Sequence, residues 1–303
     1  MFRRQKILLS LLAETRRTLP RTSLVQLAFL LRNETSLGDD ATFFDFVPLG
    51  GSPYSFSMVH ELEGLEKAGY LRGEGGRLSL AFARTEESRG LIGQLPGPIR
   101  EAVRSICGKY GRMSRDALVQ DVARRYPWYA NGSASHRTES PVSVFTAGYE
   151  GTSVERFLDR LLRNGIGVIA DVRANPVSRK YGLGRRCLAG VAEKLGIQYR
   201  SFSSLGIPRQ ARRGLDSHAS YQRLLDSYER QILPHQSAEL ANLSLLARRE
   251  ATVLICKEHD ARFCHRSRLA AAIARATNLA VCHIRAENGL RHSLIEHEAA
   301  AHG

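Results

Sequence analysis

The chain has 303 residues, of which 43% are hydrophobic and 24% are charged, a composition typical of soluble globular proteins. Its apolar runs are far shorter than the roughly 20 residues that span a bilayer, and no signal-peptide cleavage pattern follows the basic N-terminus. We therefore expect a cytoplasmic protein that does not enter a membrane. The formal net charge of +14 favours nucleic acid, nucleotides or other polyanions as partners, although excess arginine can also serve solubility alone.

The five cysteines, Cys107, Cys187, Cys256, Cys264 and Cys282, are an odd number at irregular spacing. This pattern does not fit the disulfide framework of a small secreted protein, so reduced thiols are expected. Cys107 and Cys187 lie in segments that offer them no polar partner, and both are predicted to be small buried residues or bystanders.

Residues 4–125 carry the pattern of a mainly helical region. Apolar residues spaced by three and four predict amphipathic helices around Leu11 and Leu27. Ser55 can cap a third helix that ends near Gly69, and two short strands are predicted around the glycines of residues 73–76. The predicted elements are thus two helices, a longer helix and a glycine-tipped hairpin. This is the order of elements in a winged helix.

This region also resembles the Panacea-type antitoxin domain family. The resemblance rests on the N-terminal helix, on residues 24–31, on Phe46-Val-Pro48, and on Ser52-Pro-Tyr-Ser55 followed by a leucine-rich helix. It implies a domain that binds DNA or a protein partner. An accessory packing module with neither role is the remaining alternative.

Residues 129–141 are rich in turn formers and have no period, which is typical of a linker. We therefore divide the chain into a mainly helical, winged-helix-like domain at residues 1–128, this linker, and a domain at residues 142–303. In the last of these, apolar β-branched runs alternate with amphipathic helical patterns. That alternation predicts an α/β fold with a parallel sheet and helices on both of its faces.

Three polar motifs follow predicted strands of the C-terminal domain. They are Thr146-Ala-Gly-Tyr-Glu-Gly151, Asp171-Val-Arg-Ala-Asn-Pro-Val-Ser-Arg179, and Cys256-Lys-Glu258 followed by Cys264-His-Arg266. In this order the motifs resemble the domain of unknown function 488 family, over residues 144–290. The resemblance implies a shared site, but the family's name records no established activity. Because the carboxyl ends of parallel strands meet at one edge, we expect the motifs to surround a single pocket.

The first motif suits contact with an anionic ligand. Gly148 and Gly151 let the backbone pass close to a ligand and can leave amide groups free at the start of the next helix. Tyr149 can stack on a base or sugar, and Glu150 can accept hydrogen bonds from a ring edge or hydroxyl. A tight strand-to-helix turn with solvated side chains explains the same residues equally well.

The second motif combines a carboxylate with arginines. Asp171 directly follows a predicted strand, and we expect it to act as a base or to orient a ligand. Arg173 and Arg179 are candidates for binding phosphate, with Ser178 beside them. An ion pair that only fixes the loop is the alternative.

The third motif allows several chemistries. The Cys-x5-Arg spacing from Cys256 to Arg262 matches phosphatase and rhodanese loops, but Glu258 and Asp260 would repel the bound oxyanion, so we reject it. Zinc is a weaker possibility from Cys256, His259, Cys264 and His265, because their spacing does not match common paired-ligand sites. We therefore predict no cofactor and no metal ligand, with zinc left open.

We assign proton transfer in the third motif to Glu258 first and His265 second. Cys264-His-Arg266 is predicted to open a helix, whose dipole together with Arg266 would favour a thiolate at Cys264 and bind an anion. Cys256 can contact substrate or be a core residue that ends its strand. Residues 203–213 add arginines that suit a phosphate backbone.

The leading hypothesis is a nucleic-acid-associated enzyme that hydrolyses or transfers at a nucleotide or another phosphate-bearing substrate, with a glycosidic bond as one target. Glu258 or Asp171 would transfer the proton and arginines would hold the phosphate. Two alternatives remain. One is a non-catalytic regulator that binds DNA or a protein through its N-terminal domain and senses a small anion. The other is a thiol redox protein that uses Cys256 and Cys264.

Overall fold

The computed structural model describes residues 1–130 and 142–285, and the backbone of residues 296–298. The chain forms two compact units, Met1–Gly132 and Ser133–Gly303. Residues 131–141, most of the predicted linker, lie outside the described residues. Its first two positions, residues 129 and 130, instead end a short helix, Pro127–Ala130. None of the helices in the described part of the chain has the length and hydropathy that crossing a bilayer requires.

The first unit is mainly helical. Within residues 1–130 the elements are α1 (Arg3–Thr15), β1 (Leu19–Pro20), α2 (Arg21–Glu34), β2 (Val47–Leu49), β3 (Ser52–Tyr54), α3 (Phe56–Lys67), β4 (Leu71–Glu74), β5 (Arg77–Leu80), α4 (Thr85–Gly93), α5 (Gly97–Tyr110), α6 (Arg115–Arg125) and α7 (Pro127–Ala130). The apolar faces of α1 and α2 meet in one buried cluster, because their leucines recur at helical spacing.

The hairpin after α3 belongs to a three-stranded sheet, and β2 and β3 form a separate antiparallel pair. Strand β5 pairs antiparallel with both β4 and β1, in the order β1-β5-β4. The predicted cap of α3 is confirmed, since the Ser55 hydroxyl accepts a hydrogen bond from the Met58 amide at 3.3 Å. Gly69 follows the end of that helix in the left-handed region, with φ of 74°, which glycine adopts without strain.

The second unit is an α/β domain. Its elements are β6 (Val144–Gly148), α8 (Val154–Arg163), β7 (Val168–Asp171), α9 (Arg185–Lys194), β8 (Gln198–Ser201), α10 (His218–Ser227), α11 (Ser237–Arg249), β9 (Thr252–Cys256), α12 (His265–Thr277), β10 (Val281–Ile284) and β11 (Glu296–Glu298). Short 3-10 turns at Ser203–Leu205, Arg209–Arg212 and Ala261–Phe263 lie between them.

These strands form one sheet in the order β11-β10-β6-β9-β7-β8. Strands β10, β6, β9, β7 and β8 run parallel, and β11 pairs antiparallel at the β10 edge. On one face, Leu254 of β9 packs with Leu269 and Ile273 of α12. The alternate residues Val253 and Ile255 are fully buried on the other face, since successive side chains of a strand point to opposite sides. The predicted α/β fold with a parallel sheet is confirmed.

Candidate functional site

The three motifs lie at one edge of the sheet. Strand β9 lies between β6 and β7, and its residue Cys256 is level with Gly148 of β6. Asp171 of β7 is level with Ile255. Because the three strands are parallel, the segments that follow them leave the sheet side by side. The structure therefore brings the first, second and third motifs together.

The first motif is joined to the third through its backbone. The amide of Glu150 donates to the Lys257 carbonyl at 2.9 Å, and the amide of Tyr149 donates to the Cys256 carbonyl at 3.3 Å. Both amides are thus occupied by protein carbonyls, and the predicted anion contact at the start of the next helix stays a prediction. A Cβ atom at Gly148 would lie 1.9 Å from the Glu258 carbonyl oxygen. Glycine is required there because the two segments approach so closely.

Glu150 and Gly151 of the first motif lie on the turn between β6 and α8. Glu150 is exposed, with Oε1 3.6 Å from Lys257 Nζ and Oε2 accepting from the His259 amide at 3.4 Å. Gly151 has a φ of 75°, a conformation that suits glycine at this turn. Helix α8 begins only at Val154, where the hydroxyl of Ser153 caps it. Glu150 therefore contacts the loop of the third motif through Lys257 and His259.

The second motif forms a buried ion pair. Asp171 accepts hydrogen bonds from Arg173 Nε at 2.8 Å and Nη2 at 2.5 Å, and from the Tyr199 hydroxyl. Arg173 Nη1 donates to the Tyr149 hydroxyl and to the Leu183 carbonyl, both at 2.8 Å. The Asp171 side chain is 0% exposed. Asp171 and Arg173 therefore bind each other and neighbouring protein groups.

The electrostatics of this pair follow from its burial. Burial disfavours the charged guanidinium, yet the Asp171 carboxylate raises the pKa of Arg173 above its usual value. Burial and the hydrogen bond to Asp171 together raise the pKa of Tyr199, so the phenol stays protonated. Burial also raises the pKa of Tyr149. The Asp171–Arg173 ion pair is therefore flanked by two phenols, Tyr149 and Tyr199, whose pKa values are raised.

The end of the second motif lies on the surface. The hydroxyl of Ser178 accepts a hydrogen bond from the Lys180 amide at 3.1 Å, and Arg179 is exposed. Neither residue is among those that line the cavity described below. Their predicted contacts with a substrate stay predictions.

The third motif places two thiols, a carboxylate and an imidazole together. Glu258 Oε2 accepts from Cys256 Sγ at 2.9 Å and from Cys264 Sγ at 3.1 Å. His265 Nδ1 lies 4.0 Å from Cys256 Sγ and 3.8 Å from Cys264 Sγ. Helix α12 begins at His265 with Cys264 as its N-cap, as predicted. The strand end and the helix start thus converge on one small volume.

The pKa values of this cluster reflect burial and mutual contact. Burial, followed by the neighbouring Cys256, raises the pKa of the Glu258 carboxyl. The hydrogen bond with Cys264, followed by burial, raises the pKa of the Cys256 thiol to about 11. A thiol with that pKa is a poor nucleophile at neutral pH. Cys256 is 1% exposed, in keeping with the predicted core position at the end of its strand.

Arg266 has a different role from the one expected. Its Nη1 donates to the Glu258 carbonyl at 2.6 Å and its Nη2 to the His259 carbonyl at 2.9 Å. Only 2% of the residue is exposed. The guanidinium therefore holds the loop that carries Glu258, which corrects the prediction that it binds an anion with Cys264.

A cavity of about 580 Å³ opens at the third motif. Its walls include Ile207, Arg212, Leu215, Tyr221, Leu225, Lys257, Glu258, Phe263, Cys264 and His265. Arg212 Nη1 donates to Glu258 Oε1 at 3.0 Å. The rings of Tyr221 and His218 each make an edge-on contact with Phe263 at 5.5 Å. The cavity thus combines a carboxylate, a guanidinium and aromatic rings.

A second cavity, of about 530 Å³, lies on the arginine loop itself. It is lined by Arg209, Gln210, Arg212 and Arg213, and Arg212 belongs to both cavities. The sequence pointed to this loop through its arginines, but it did not single out Arg212. Tyr221 and Phe263 were missed as wall residues, because an aromatic residue in a helix or short turn carries no signal of the cavity it faces.

Comparison with known proteins finds one family that is similar to part of the C-terminal domain. Residues 153–273 match the family described as Domain of unknown function DUF488. No curated protein and no solved structure matches the chain. The matched range includes the second and third motifs and begins just after the first. The resemblance of the N-terminal region to the Panacea-type antitoxin domain family is not confirmed. By this match, residues 153–273 are similar to the DUF488 family.

Proposed function

We propose that the C-terminal domain is an enzyme that hydrolyses or transfers at a nucleotide or a similar phosphate-bearing substrate. The observation that carries this proposal is the position of Glu258. Its carboxylate stands at the wall of a cavity of about 580 Å³ and is 23% exposed. A carboxylate that is shielded from water and within reach of a bound molecule suits proton transfer.

The walls of the cavity support a nucleotide as the substrate class. Arg212 in this cavity, together with Arg209 and Arg213 in the second cavity that shares Arg212, offers guanidinium groups to phosphate oxygens. Tyr221 and Phe263 offer rings that can pack against a base or sugar. A cavity of this volume lies within the usual range for small-molecule sites. Both parts of a nucleotide therefore find matching groups beside Glu258.

In the proposed reaction Glu258 takes a proton from the attacking water or hydroxyl group and returns it to the leaving group. A glycosidic or phosphate ester bond is cleaved in the process. Arg212 neutralises the negative charge of the phosphate. Asp171 supports the site indirectly, because it holds Arg173 against Tyr149.

For the N-terminal unit we propose a nucleic-acid-binding role within the same cytoplasmic protein. The succession of α1, β1, α2, α3 and the β4–β5 hairpin supports a winged-helix-like module. Its 19 Lys and Arg residues outnumber its 14 Asp and Glu residues, which favours a polyanion. The exposed residues of α3 include His60, Glu63 and Lys67, which are not strongly basic. A protein partner at this helix is therefore the alternative.

Turnover by the full chain tests the enzyme proposal. The protein is incubated with nucleoside mono- and diphosphates, dinucleotides and short oligonucleotides, and the products are identified by mass spectrometry. We expect Glu258→Gln to lower turnover by about 100-fold or more, the scale of a general acid or base. Glu193→Gln, at an exposed position of α9, is the matched control and should keep full turnover.

Two results would decide against the enzyme. Turnover by Glu258→Gln equal to that of the unchanged chain would remove the carboxylate from the mechanism. Tight nucleotide binding without any turnover would favour the regulator, in which the same cavity senses an anion.

A further inference from the structure

Three potential metal ligands converge beside the cavity. Cys256 Sγ, Cys264 Sγ and His265 Nδ1 all lie within 4.8 Å of one another. The three residues are buried, with 1%, 1% and 2% of their surfaces exposed. We propose that they bind one divalent, thiolate-preferring metal ion, for which zinc is the best fit. The metal site does not depend on the proposed reaction.

The distances between the ligand atoms suit tetrahedral coordination. Zinc bonds of about 2.3 Å to sulfur and about 2.0 Å to nitrogen, at tetrahedral angles, separate neighbouring ligand atoms by roughly 3.5–3.8 Å. His265 Nδ1 lies 3.8 Å from Cys264 Sγ and 4.0 Å from Cys256 Sγ. Shifts of a few tenths of an ångström bring these two sulfur–nitrogen distances to the tetrahedral values, and the two sulfur atoms lie within 4.8 Å of each other. Two sulfur ligands and one imidazole favour zinc over magnesium or calcium.

The imidazole of His265 is held in the form that a metal requires. Its Nε2 lies 2.9 Å from the Val172 carbonyl oxygen, and a carbonyl can only accept, so Nε2 carries the proton. The lone pair of Nδ1 is then directed at the two thiols. Hydrogen bonds of this kind from the distal nitrogen are typical of metal-binding histidines. Val172 belongs to the second motif, so this contact links that motif to the metal site.

The charges around the site balance a bound ion. Binding releases the two thiol protons to solvent, and two thiolates neutralise a divalent cation. Glu258, whose Oε2 is near both sulfurs, adds one negative charge, and Arg212 pairs with it at 3.0 Å. The assembly is thus neutral overall, which removes the main electrostatic cost of a buried ion.

The three ligands lie next to the cavity. Cys264, His265 and Glu258 all line the cavity wall, so an ion held by Cys256, Cys264 and His265 would be within reach of a molecule in the cavity. Three protein ligands with one open position is the arrangement of catalytic rather than structural zinc sites. Glu258 is placed to accept a proton from a molecule bound there.

The ligand set differs from the one that the sequence suggested. His259 is exposed, and its backbone amide donates to Glu150, so it does not join Cys256, Cys264 and His265. The spacing between Cys256 and Cys264 is longer than in common paired-cysteine sites, because a loop with a 3-10 turn separates the strand end from the helix start. Tertiary structure supplies the proximity that the spacing lacks.

Metal analysis of the full chain tests the site. The protein is purified without chelators and its metal content is measured by inductively coupled plasma mass spectrometry. We expect close to one equivalent of zinc per chain, and less than about one tenth of that in Cys256→Ser and in Cys264→Ser. Cys187→Ser and Cys282→Ser are the matched controls and should keep the full equivalent. Glu258→Gln should also keep it, since the other three ligands hold the ion.

Cobalt exchange gives a second measurement that does not depend on activity. After removal of zinc, Co²⁺ should produce the thiolate charge-transfer absorption and the intense visible bands of a tetrahedral cobalt site in the unchanged chain and in Glu258→Gln. Both features should be absent from the two cysteine variants. Circular dichroism identifies any variant that fails to fold, and for such a variant His265→Gln replaces it.

Three results would overturn the proposal. The first is a chain that carries no zinc and gives no thiolate charge-transfer band with Co²⁺. The second is zinc that stays at one equivalent in both cysteine variants, which would mean an adventitious ion elsewhere. The third is a Cys256–Cys264 disulfide in the folded chain as isolated, which would favour the thiol redox alternative.

Discussion

Asp171 and Arg173 are joined by two side-chain hydrogen bonds at a buried strand end, and the Arg173 amide donates a third to Asp171. Arg173 donates to the two carboxylate oxygens from Nε and Nη2, at 2.8 and 2.5 Å. The exposed fractions of the two side chains are 0% for Asp171 and 5% for Arg173. Breaking such a pair leaves a buried charge without a partner, which costs more than the pair itself contributes.

We therefore expect Asp171→Asn to destabilise the C-terminal domain by about 3–5 kcal/mol. The physical reason is the uncompensated guanidinium of Arg173. The double variant Asp171→Asn with Arg173→Met should recover a large part of this loss, because it removes the unpaired charge. Urea unfolding, monitored by circular dichroism, measures the free energy of unfolding of both variants. Asp226→Asn is the control: its ion pair with Arg268 is 43% and 35% exposed, and it should cost less than about 1 kcal/mol. Equal costs at the two positions would contradict the prediction.

Gly148→Ala should displace the loop that carries Glu258. A Cβ atom at this position would lie 1.9 Å from the Glu258 carbonyl oxygen and 2.8 Å from its carbonyl carbon. Because both atoms are backbone, the loop must move, and overpacking of this kind costs about 1–3 kcal/mol or more. We expect lower stability and a loss of turnover similar to that of Glu258→Gln.

Gly190→Ala is the matched control for that substitution. Gly190 lies inside α9, and an added Cβ would meet nothing within 4 Å. Alanine should stabilise the helix there by up to about 1 kcal/mol. The two glycine substitutions are thus expected to change the free energy of unfolding in opposite directions, and a shared sign would refute the close-approach argument.

The sequence predicted the meeting of the motifs because that meeting depends on local pattern. Apolar β-branched runs such as residues 251–255 identify buried strands, and the parallel pairing of β6, β9 and β7 then places their ends together. The helix start at His265 was predicted for the same reason. Each of these inferences requires only the periodic spacing of apolar residues along the chain and the common direction of the strands.

The partners of individual side chains could not be predicted in this way. Arg212 reaches Glu258 across 46 positions of sequence, and nothing near either residue indicates the contact. Arg266 and His259 were expected at the site because they stand among the motif residues, yet one is buried against carbonyls and the other is exposed. Which way a loop side chain points depends on tertiary packing, which periodicity does not encode.

The stability of the N-terminal unit should depend on Glu34 at acid pH. Burial alone would raise the pKa of Glu34, but hydrogen bonds from Arg125 and Tyr110 more than reverse this and lower the pKa below its usual value of 4.5. A carboxyl with a lowered folded-state pKa stabilises the fold above its ordinary pKa. That contribution is lost as the pH falls through the lowered value.

Glu34→Gln should therefore destabilise the N-terminal unit by about 1.5–3 kcal/mol near neutral pH and by much less once the pH has fallen below the lowered pKa of Glu34, where the unchanged chain has lost the same contribution. Calorimetry of the two chains across this range measures the difference. Glu101→Gln, at an exposed position of α5, should show no such convergence. A Glu34→Gln deficit that stays constant from neutral to acid pH would rule out the ionised carboxylate as its source.

Arg212 and Arg213 should determine how strongly the C-terminal domain binds phosphate. Arg212 lines both cavities, whereas Arg213 lines only the second cavity, the one on the arginine loop. Loss of one charge-assisted contact costs about 1.5–3 kcal/mol, so each Arg→Ala substitution should weaken binding of a nucleoside monophosphate by roughly 10- to 100-fold. Isothermal titration calorimetry at low and high salt measures this affinity.

Arg223→Ala, at an exposed position of α10, removes the same charge from the domain and should leave the affinity within about 2-fold. If Arg223→Ala weakened binding as much as Arg213→Ala, the domain would be attracting phosphate through its overall charge, and the arginine loop would lose its assigned role.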